Sequence, residues 1–250
     1  MKQFLNYEDI LKICNQINEK YIPTEDAFFE KVDELFQNEE LEGETFIQYS
    51  FQELLKVVDA EIKKIEENVQ ISPTCAKGCA NCCYFPIITT RLEEKLMLAA
   101  INNFPAERRT KILNHLKAYF IKYSNEIESL CSINFNEVPD FKHQFISKQL
   151  PCPMLDTEKN ECLAYEIRPI PCRTYLNYSN PAVCKENLIP KEPFSYEFLR
   201  EYYIEALSEI VQTVLNAENQ SFGIQFPEDV FKVDYLQNLI KNEQFMKNAK

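Results

Sequence analysis

Apolar residues recur at helical spacing through most of the chain. The clearest case is residues 51–69, where one face of a 3.6-residue repeat carries Phe51, Leu54, Leu55, Val58, Ile62, Ile65 and Val69. Charged residues lie mostly between them, so the pattern predicts an amphipathic helix. Ser72-Pro73 ends it, because proline disfavours helix in the preceding residue. Similar patterns predict helices over 91–103, 106–130, 196–216 with Ser195 as its N-cap, and, less regularly, 229–248.

Two segments lack this periodicity. Residues 74–90 are rich in cysteine, and we interpret them as a loop with at most a short strand near 84–90. Residues 151–193 hold seven of the 13 prolines. Proline removes a backbone donor and fixes φ, so this segment cannot form a long helix or a central strand. The sequence therefore predicts a mainly α fold in which helices flank a loop-rich core of cysteine and proline.

The 250 residues suit one large or two small domains. We interpret the chain as three regions. Residues 1–72 form an acidic helical N-terminal region, residues 73–190 form the cysteine-cluster domain, and residues 191–250 form a C-terminal helical region that packs on the core.

Composition excludes several classes of function. Only three glycines occur, none close to another, so glycine-rich dinucleotide and phosphate loops are absent from the sequence. The net charge is −12, and residues 1–70 contribute 17 acidic and 7 basic side chains to it. An acidic balance argues against nucleic-acid binding. We interpret the acidic excess as a solvated helical surface, with a docking surface for a basic partner as the alternative.

The first residues show no export signal, and no apolar run approaches the length of a membrane span. We therefore expect a cytoplasmic protein without a membrane partner. Thiols stay reduced in that compartment, so clustered cysteines there favour metal ligands or redox groups over disulfides.

Nine of the ten cysteines fall between residues 75 and 184. The first group has the pattern CxxxCxxCC and comprises Cys75, Cys79, Cys82 and Cys83. The second group comprises Cys152, Cys162, Cys172 and Cys184. Spacings of two and three residues allow thiolates to converge on zinc or on an iron–sulfur cluster. Gly78 lies inside the first group, where it can supply the positive φ of a metal-binding turn. We interpret Cys14 and Cys131 as packed side chains.

The number of centres stays open at this point. Neighbouring side chains usually diverge, so Cys82 and Cys83 either belong to two centres or include one structural member. Eight ligands would fill two four-cysteine sites, and one site beside packed or redox cysteines is the alternative. Residues 75–82 also match the CxxxCxxC triad of radical S-adenosylmethionine enzymes, but the glycine-rich segment and alternating strands that those enzymes need are lacking in the sequence.

The two groups together resemble the YkgJ-type cysteine-cluster family. The resemblance rests on CxxxCxxCC, on Pro151-Cys152-Pro153 with Leu155, and on the run from Cys162 through Arg168-Pro169 to Cys172-Arg173. That family is described as zinc- or iron-chelating with eight characteristic cysteines. The resemblance implies that the cluster cysteines here are Cys75, Cys79, Cys82, Cys83, Cys152, Cys162, Cys172 and Cys184. The cofactor would be an iron–sulfur cluster or zinc.

Arg168 and Arg173 flank Cys172 and are the candidate cofactor-binding cations. Their guanidinium groups can donate charge-assisted hydrogen bonds to a thiolate and offset its charge, or pair with a neighbouring carboxylate. His115 and His143 carry no ligand motif. No acid–base pair or nucleophile–histidine arrangement stands out, so whether the protein is an enzyme stays open. A cluster-dependent enzyme of the lysine N-methylase type is one alternative. A metal store or sensor that loads through the exposed member of the adjacent pair is another.

Overall fold

The computed structural model describes residues 4–37 and 40–242. These residues are mainly helical, which confirms the fold class. The α-helices of the described residues are α1 Tyr7–Lys20, α2 Asp26–Phe36, α3 Gly43–Val69, α4 Arg91–Asn102, α5 Ala106–Lys122, α6 Ser124–Leu130, α7 Phe141–Ser147, α8 Ile170–Thr174, α9 Val183–Glu186, α10 Phe198–Glu218, α11 Glu228–Phe231 and α12 Leu236–Lys241.

The strands are short and pair two by two. They are β1 Ile88–Thr90, β2 Leu155–Asp156, β3 Glu161–Cys162, β4 Tyr175–Leu176, β5 Phe194–Ser195 and β6 Val233–Tyr235. The antiparallel pairs are β1 with β6, β2 with β3, and β4 with β5. Two 3₁₀ turns, Asn81–Tyr84 and Tyr165–Ile167, lie beside cysteines of the two groups. The strands of the described residues are therefore only two or three residues long.

The chain divides into two compact units, each assembled from three segments. The first unit contains Met1–Cys75, Pro169–Pro181 and Lys191–Phe231. The second contains Ala76–Arg168, Ala182–Pro190 and Lys232–Lys250. Six of the eight candidate cysteines belong to the second unit, and Cys75 and Cys172 belong to the first. The three-region division expected from the sequence stays a prediction.

The long helix α3 organises the first unit. Its 27 residues pack against α2, α8 and α10, and they bury Phe51 and Leu54 completely. Gln70 ends the helix in a left-handed conformation with φ 57°. On α8, the guanidinium of Arg173 donates to the Asp59 carboxylate of α3. The first unit is thus a helical core, and this ion pair links α8 to α3 within it.

The second unit is built around β1, α4, α5 and α12. Strand β1 pairs with β6 so that Ile88 lies opposite Tyr235. The next residues enter α4, where the Thr90 hydroxyl accepts a hydrogen bond from the Glu93 amide at 3.1 Å and caps the helix. No helix in the described part of the chain is long and apolar enough to cross a membrane.

Three local predictions are wrong. The predicted helix 106–130 departs from helical geometry at Tyr123 (φ −108°, ψ 21°), although hydrogen bonds continue on both sides of it. The predicted helix 229–248 is interrupted by β6, because residues 233–235 pair with β1, a distant segment that local periodicity does not reveal; residues 243–248 lie outside the described part. Ser195 belongs to β5 and donates to the Thr174 hydroxyl at 3.2 Å, so it does not cap α10.

The remaining helix predictions are confirmed. Helix α3 contains the predicted 51–69 and begins earlier, α4 matches 91–103, and α10 matches 196–216 within two residues at each end. The short strand expected near 84–90 is β1.

Candidate metal centre

Tight turns shape the first cysteine group. Gly78 has φ +87°, the positive value expected from the sequence. The Cys79 amide donates to the Ala76 carbonyl at 2.9 Å, and the Cys83 amide donates to the Ala80 carbonyl at 3.0 Å. The second of these bonds belongs to the 3₁₀ turn that carries both members of the adjacent pair.

A backbone hydrogen bond joins the two cysteine groups inside the second unit. The amide of Cys152 donates to the carbonyl of Cys83 at 2.6 Å. These residues are far apart in sequence, so the bond fixes the first loop to the proline-rich segment directly at two cysteines. The backbones of Cys83 and Cys152 are therefore as close as a shared metal centre would require.

Helix α5 holds the residues on both sides of Cys152. The Tyr119 hydroxyl donates to the Pro151 carbonyl at 2.6 Å, and His115 Nε2 lies 3.0 Å from the Pro153 carbonyl. Tyr119 and His115 are four residues apart and share one helix face. The result is a buried Cys152, 6% exposed, whose sulfur accepts a hydrogen bond from the Met154 amide at 3.4 Å.

Strand β3 positions Cys162. It pairs with Leu155 of β2, and the Leu163 amide donates to the Met154 carbonyl at 2.8 Å. Arg108 of α5 then holds the following turn, donating to the Leu163 carbonyl at 3.0 Å and to the Glu166 carboxylate at 2.5 and 2.9 Å. Cys162 and Cys152 are therefore supported by the same helix.

The other candidate cysteines have separate supports. Cys184 lies on α9, which packs against the 3₁₀ turn of the adjacent pair. In the first unit, the Cys75 sulfur accepts a hydrogen bond from the Asn177 amide at 3.4 Å. Cys172 lies on α8, and its amide donates to the Pro169 carbonyl at 3.0 Å.

Electrostatics distinguish the thiols of the second unit. A hydrogen bond with Cys83 and the positive charge of Arg168 lower the pKa of Cys82 to about 7. Burial instead raises the pKa values of Cys152 and Cys162. The nearby charge of Cys82 also raises the pKa values of both, by less than burial does. Cys82 is the thiol most easily ionised among them near neutral pH.

The two candidate arginines have different surroundings. Arg168 stacks on the Tyr165 ring at 4.3 Å, and its buried Nε has no hydrogen-bond partner in the part of the chain that the structure describes. Its charge acts on Cys82 and Cys162. Arg173 pairs with Asp59, the carboxylate alternative raised by the sequence. A bound anionic centre would give the Arg168 guanidinium a counter-charge.

The donor chemistry fits a thiolate-bound metal. The ten cysteines, all within the described residues, are not joined by disulfides. Amide groups of Met154, Asn177 and the Asn81 side chain already donate to the sulfurs of Cys152, Cys75 and Cys79, the support that ligating thiolates receive around metals. Within residues 4–37 and 40–242, however, no three or more Cys, His, Asp or Glu side chains converge on one ion position. Metal uptake would therefore require the thiols to turn toward a common point.

The remaining cysteines and both histidines are not among the eight candidate ligands. Cys131 is buried, and burial raises its pKa to about 12. Burial also raises the pKa of Cys14. His115 holds the Pro153 carbonyl, and His143 lies 4.0 Å from the Asp140 carboxylate.

Residues 74–193 match the family model described as "CxxCxxCC: Putative zinc- or iron-chelating domain". This segment is similar to that family. The match covers just under half of the chain and includes all eight candidate cysteines, which confirms the resemblance inferred from the motifs. The matched segment also contains the α5 residues that hold the backbone on both sides of Cys152. No curated protein matches the chain, and no solved structure matches it either.

Several supporting residues escaped the sequence analysis. Tyr119 and Asn177 have no motif around them, and their roles depend on contacts across long sequence separations. The sequence did indicate that His115 and Tyr119 lie on one helix face, because they are four residues apart. Nothing in the sequence indicated that this face meets the backbone around Cys152.

Proposed function

We propose that the protein binds iron, as an iron–sulfur cluster, through the thiolates of its chelating segment. The observation that carries this proposal is the 2.6 Å hydrogen bond from the Cys152 amide to the Cys83 carbonyl. It brings two cysteine motifs together at the centre of a segment that matches the model of a zinc- or iron-chelating domain. Thiolates are the ligands that both zinc and iron–sulfur clusters use.

The residues that would hold the cluster are those of the second unit. Cys83 and Cys152 are fixed by the backbone bond, Cys82 shares the turn of Cys83, and Cys162 lies within electrostatic reach of Cys82 and Cys152. Cys79 and Cys184 flank this group in the same unit, and Cys75 and Cys172 complete the eight implied by the family. A bound cluster would supply one-electron transfer.

One feature supports iron over zinc. Amide-to-sulfur hydrogen bonds and the charge of Arg168 stabilise extra negative charge, which matters for a centre that accepts an electron. A structural zinc site is closed and redox-silent, so it has less need of hydrogen bonds and positive charges that stabilise added negative charge.

A structural zinc ion is the second candidate. The observation that favours it is the scarcity of regular structure between residues 151 and 193, where the described elements are two to five residues long. A zinc ion contributes folding free energy directly and would hold such a segment together.

Anaerobic purification followed by a visible spectrum, sulfide analysis and metal analysis tests the proposal. We expect a brown protein with iron, acid-labile sulfide and a broad absorbance near ~400 nm. A colourless protein with one or two zinc ions would replace the iron proposal by the zinc one. A protein that binds neither metal would overturn both.

Single substitutions connect the metal to the cysteines. Cys79→Ser and Cys162→Ser should each lower the metal content, because each removes a thiol from the second unit. Cys14→Ser is the control, since Cys14 lies outside the matched segment. Equal metal content in all three variants would contradict the ligand assignment.

A further inference from the structure

A cleft of the first unit lies at the end of α10. It has a volume of about 420 Å³, which falls within the range of about 300–1,000 Å³ typical of small-molecule sites. No residue that lines the cleft carries a charge, although the chain has a net charge of −12. Five lining side chains are carboxamides: Gln212, Asn216, Asn219, Gln220 and Gln225. The cleft is therefore polar but uncharged.

Hydrogen-bonding capacity is what the five carboxamides contribute. Within the part of the chain that the structure describes, none of these five side chains makes a hydrogen bond. Gln212 and Asn216 are four residues apart on α10, so they share one helix face and lie side by side. Each carboxamide offers two N–H donors and one acceptor oxygen. Neighbouring carboxamides thus present the donors and acceptors that hydroxyl groups on adjacent carbons of a sugar need.

The loop that follows α10 is held by its own hydrogen bonds. The Ile224 amide donates to the Ser221 carbonyl at 2.7 Å, and the Gln225 amide donates to the Asp229 carboxylate, also at 2.7 Å. Asp229 is buried and does not line the cleft. The backbone that carries Gln225 is therefore fixed before a ligand arrives, which lowers the entropic cost of binding.

The cleft also has apolar side chains, those of Leu215, Ile224 and Phe226. Ile224 is buried, and the other two are half-buried. A sugar ring carries C–H groups on its faces and hydroxyl groups around its edge. Apolar side chains beside carboxamides match both parts of such a ring.

The C-terminus of α10 adds acceptors to the same place. Asn219 ends the helix in a left-handed conformation with φ 50°. In the described residues, no group beyond the helix donates to the carbonyls of its last four residues, 215–218. Helix α3 also ends at a left-handed residue, but there the amides of Gln70 and Ile71 donate to its last carbonyls. The carbonyls at the end of α10 are thus left to water or to a ligand rich in donors.

From this arrangement we propose that the cleft binds a neutral saccharide. The carboxamides bind its hydroxyl groups, the apolar side chains pack against its ring, and the carbonyls at the end of α10 accept hydrogen bonds from its remaining hydroxyls. A charged ligand finds no counter-charge among the lining residues, and an anion also faces the negative end of the helix dipole. This role goes beyond metal binding and does not depend on it, because no cysteine lines the cleft.

Nuclear magnetic resonance tests the assignment on the purified full chain, labelled with the heavy isotope of nitrogen. The protein is titrated with maltose, an uncharged disaccharide, and the side-chain amide resonances of Gln212 and Asn216 are followed. Gln212→Ala and Asn216→Ala identify these resonances, because each substitution removes one pair of peaks. We expect both to shift and to reach saturation. Resonances that do not move, or that glucuronate or the diamine putrescine shifts at a lower concentration than maltose, would overturn the proposal.

A substitution with a matched control measures the contribution of one carboxamide. Asn216→Ala should weaken maltose binding about fivefold, the loss expected for one hydrogen bond, and alanine suits the helix that carries it. Gln52→Ala is the control, because Gln52 is an exposed carboxamide on α3 that does not line the cleft. It should bind maltose like the wild type. Equal affinity in the two variants would overturn the site, and the wild-type titration decides the matter if Asn216→Ala fails to fold.

Discussion

Tyr119→Phe removes a single oxygen that, in our account, holds the backbone at Cys152. The Tyr119 hydroxyl donates to the Pro151 carbonyl at 2.6 Å, and Tyr119 is only 4% exposed. The phenylalanine ring keeps the contacts with Phe120 and Tyr123, at centroid distances of 5.3 and 5.0 Å. The substitution therefore removes the hydrogen bonds of the hydroxyl, to the Pro151 carbonyl and to the Gln237 side chain, and leaves the packing in place.

The magnitude follows from burial at both ends of this bond. Losing it leaves a buried carbonyl without its donor, which costs about 1–3 kcal/mol of unfolding free energy. Taking about 2 kcal/mol, a chain of this size should lose about 4–8 °C in melting temperature. Metal affinity should fall as well, because the Cys152 backbone would be less restrained.

Circular dichroism during thermal and urea unfolding measures the loss, and a competing chelator measures metal affinity. Tyr123→Phe is the matched control, since Tyr123 lies just after the same helix and is half-buried. It should change the unfolding free energy by less than about 0.5 kcal/mol. If Tyr119→Phe and Tyr123→Phe behave alike in both measurements, the support of Cys152 by α5 is refuted.

Three further outcomes are expected. Gly78→Ala should lower the unfolding free energy by about 1–2 kcal/mol from the positive φ alone, because no atom lies within 4 Å of the added Cβ. Urea unfolding should show a similar loss for the control Gly223→Ala. Only Gly78→Ala should weaken metal binding in a chelator competition. Burial lowers the pKa of His115, so the unfolded chain binds more protons there, and stability should fall as the pH drops below about 6.5. Urea midpoints measured across that pH range should fall less for His115→Gln than for the wild type. The same pH dependence of the midpoint in both proteins would contradict this. Arg108→Gln should cost only about 1 kcal/mol in urea unfolding, because its pair with Glu166 is exposed, and a loss above that of Tyr119→Phe would contradict this ranking.

Local pattern was sufficient for the long helices. Helix α3 buries Leu54 and Leu55 on a stripe that the sequence displays openly, and the proline at position 73 marks where it must have ended. Gly78 was predictable for a similar reason, because a tight turn between cysteines needs a residue that tolerates positive φ.

Contacts between distant segments were beyond that kind of reasoning. Residues 233–235 form a strand because β1 offers them an edge, although their own pattern favours helix. Ser195 has the chemistry of a helix cap but lies in β5 instead. At the centre, the spacing of the cysteines indicated a metal, yet it could not reveal that Cys83 meets Cys152 through the backbone or that α5 supports this contact.

The central claim is that thiols from the two cysteine groups bind the same metal. X-ray absorption at the metal edge tests it most directly when wild type, Cys83→Ser and Cys152→Ser are compared. We predict a wild-type shell of sulfur alone, at about 2.3 Å, and a loss of metal or of sulfur neighbours in both variants. A shell dominated by oxygen and nitrogen, or an unchanged sulfur shell in either variant, would contradict the account.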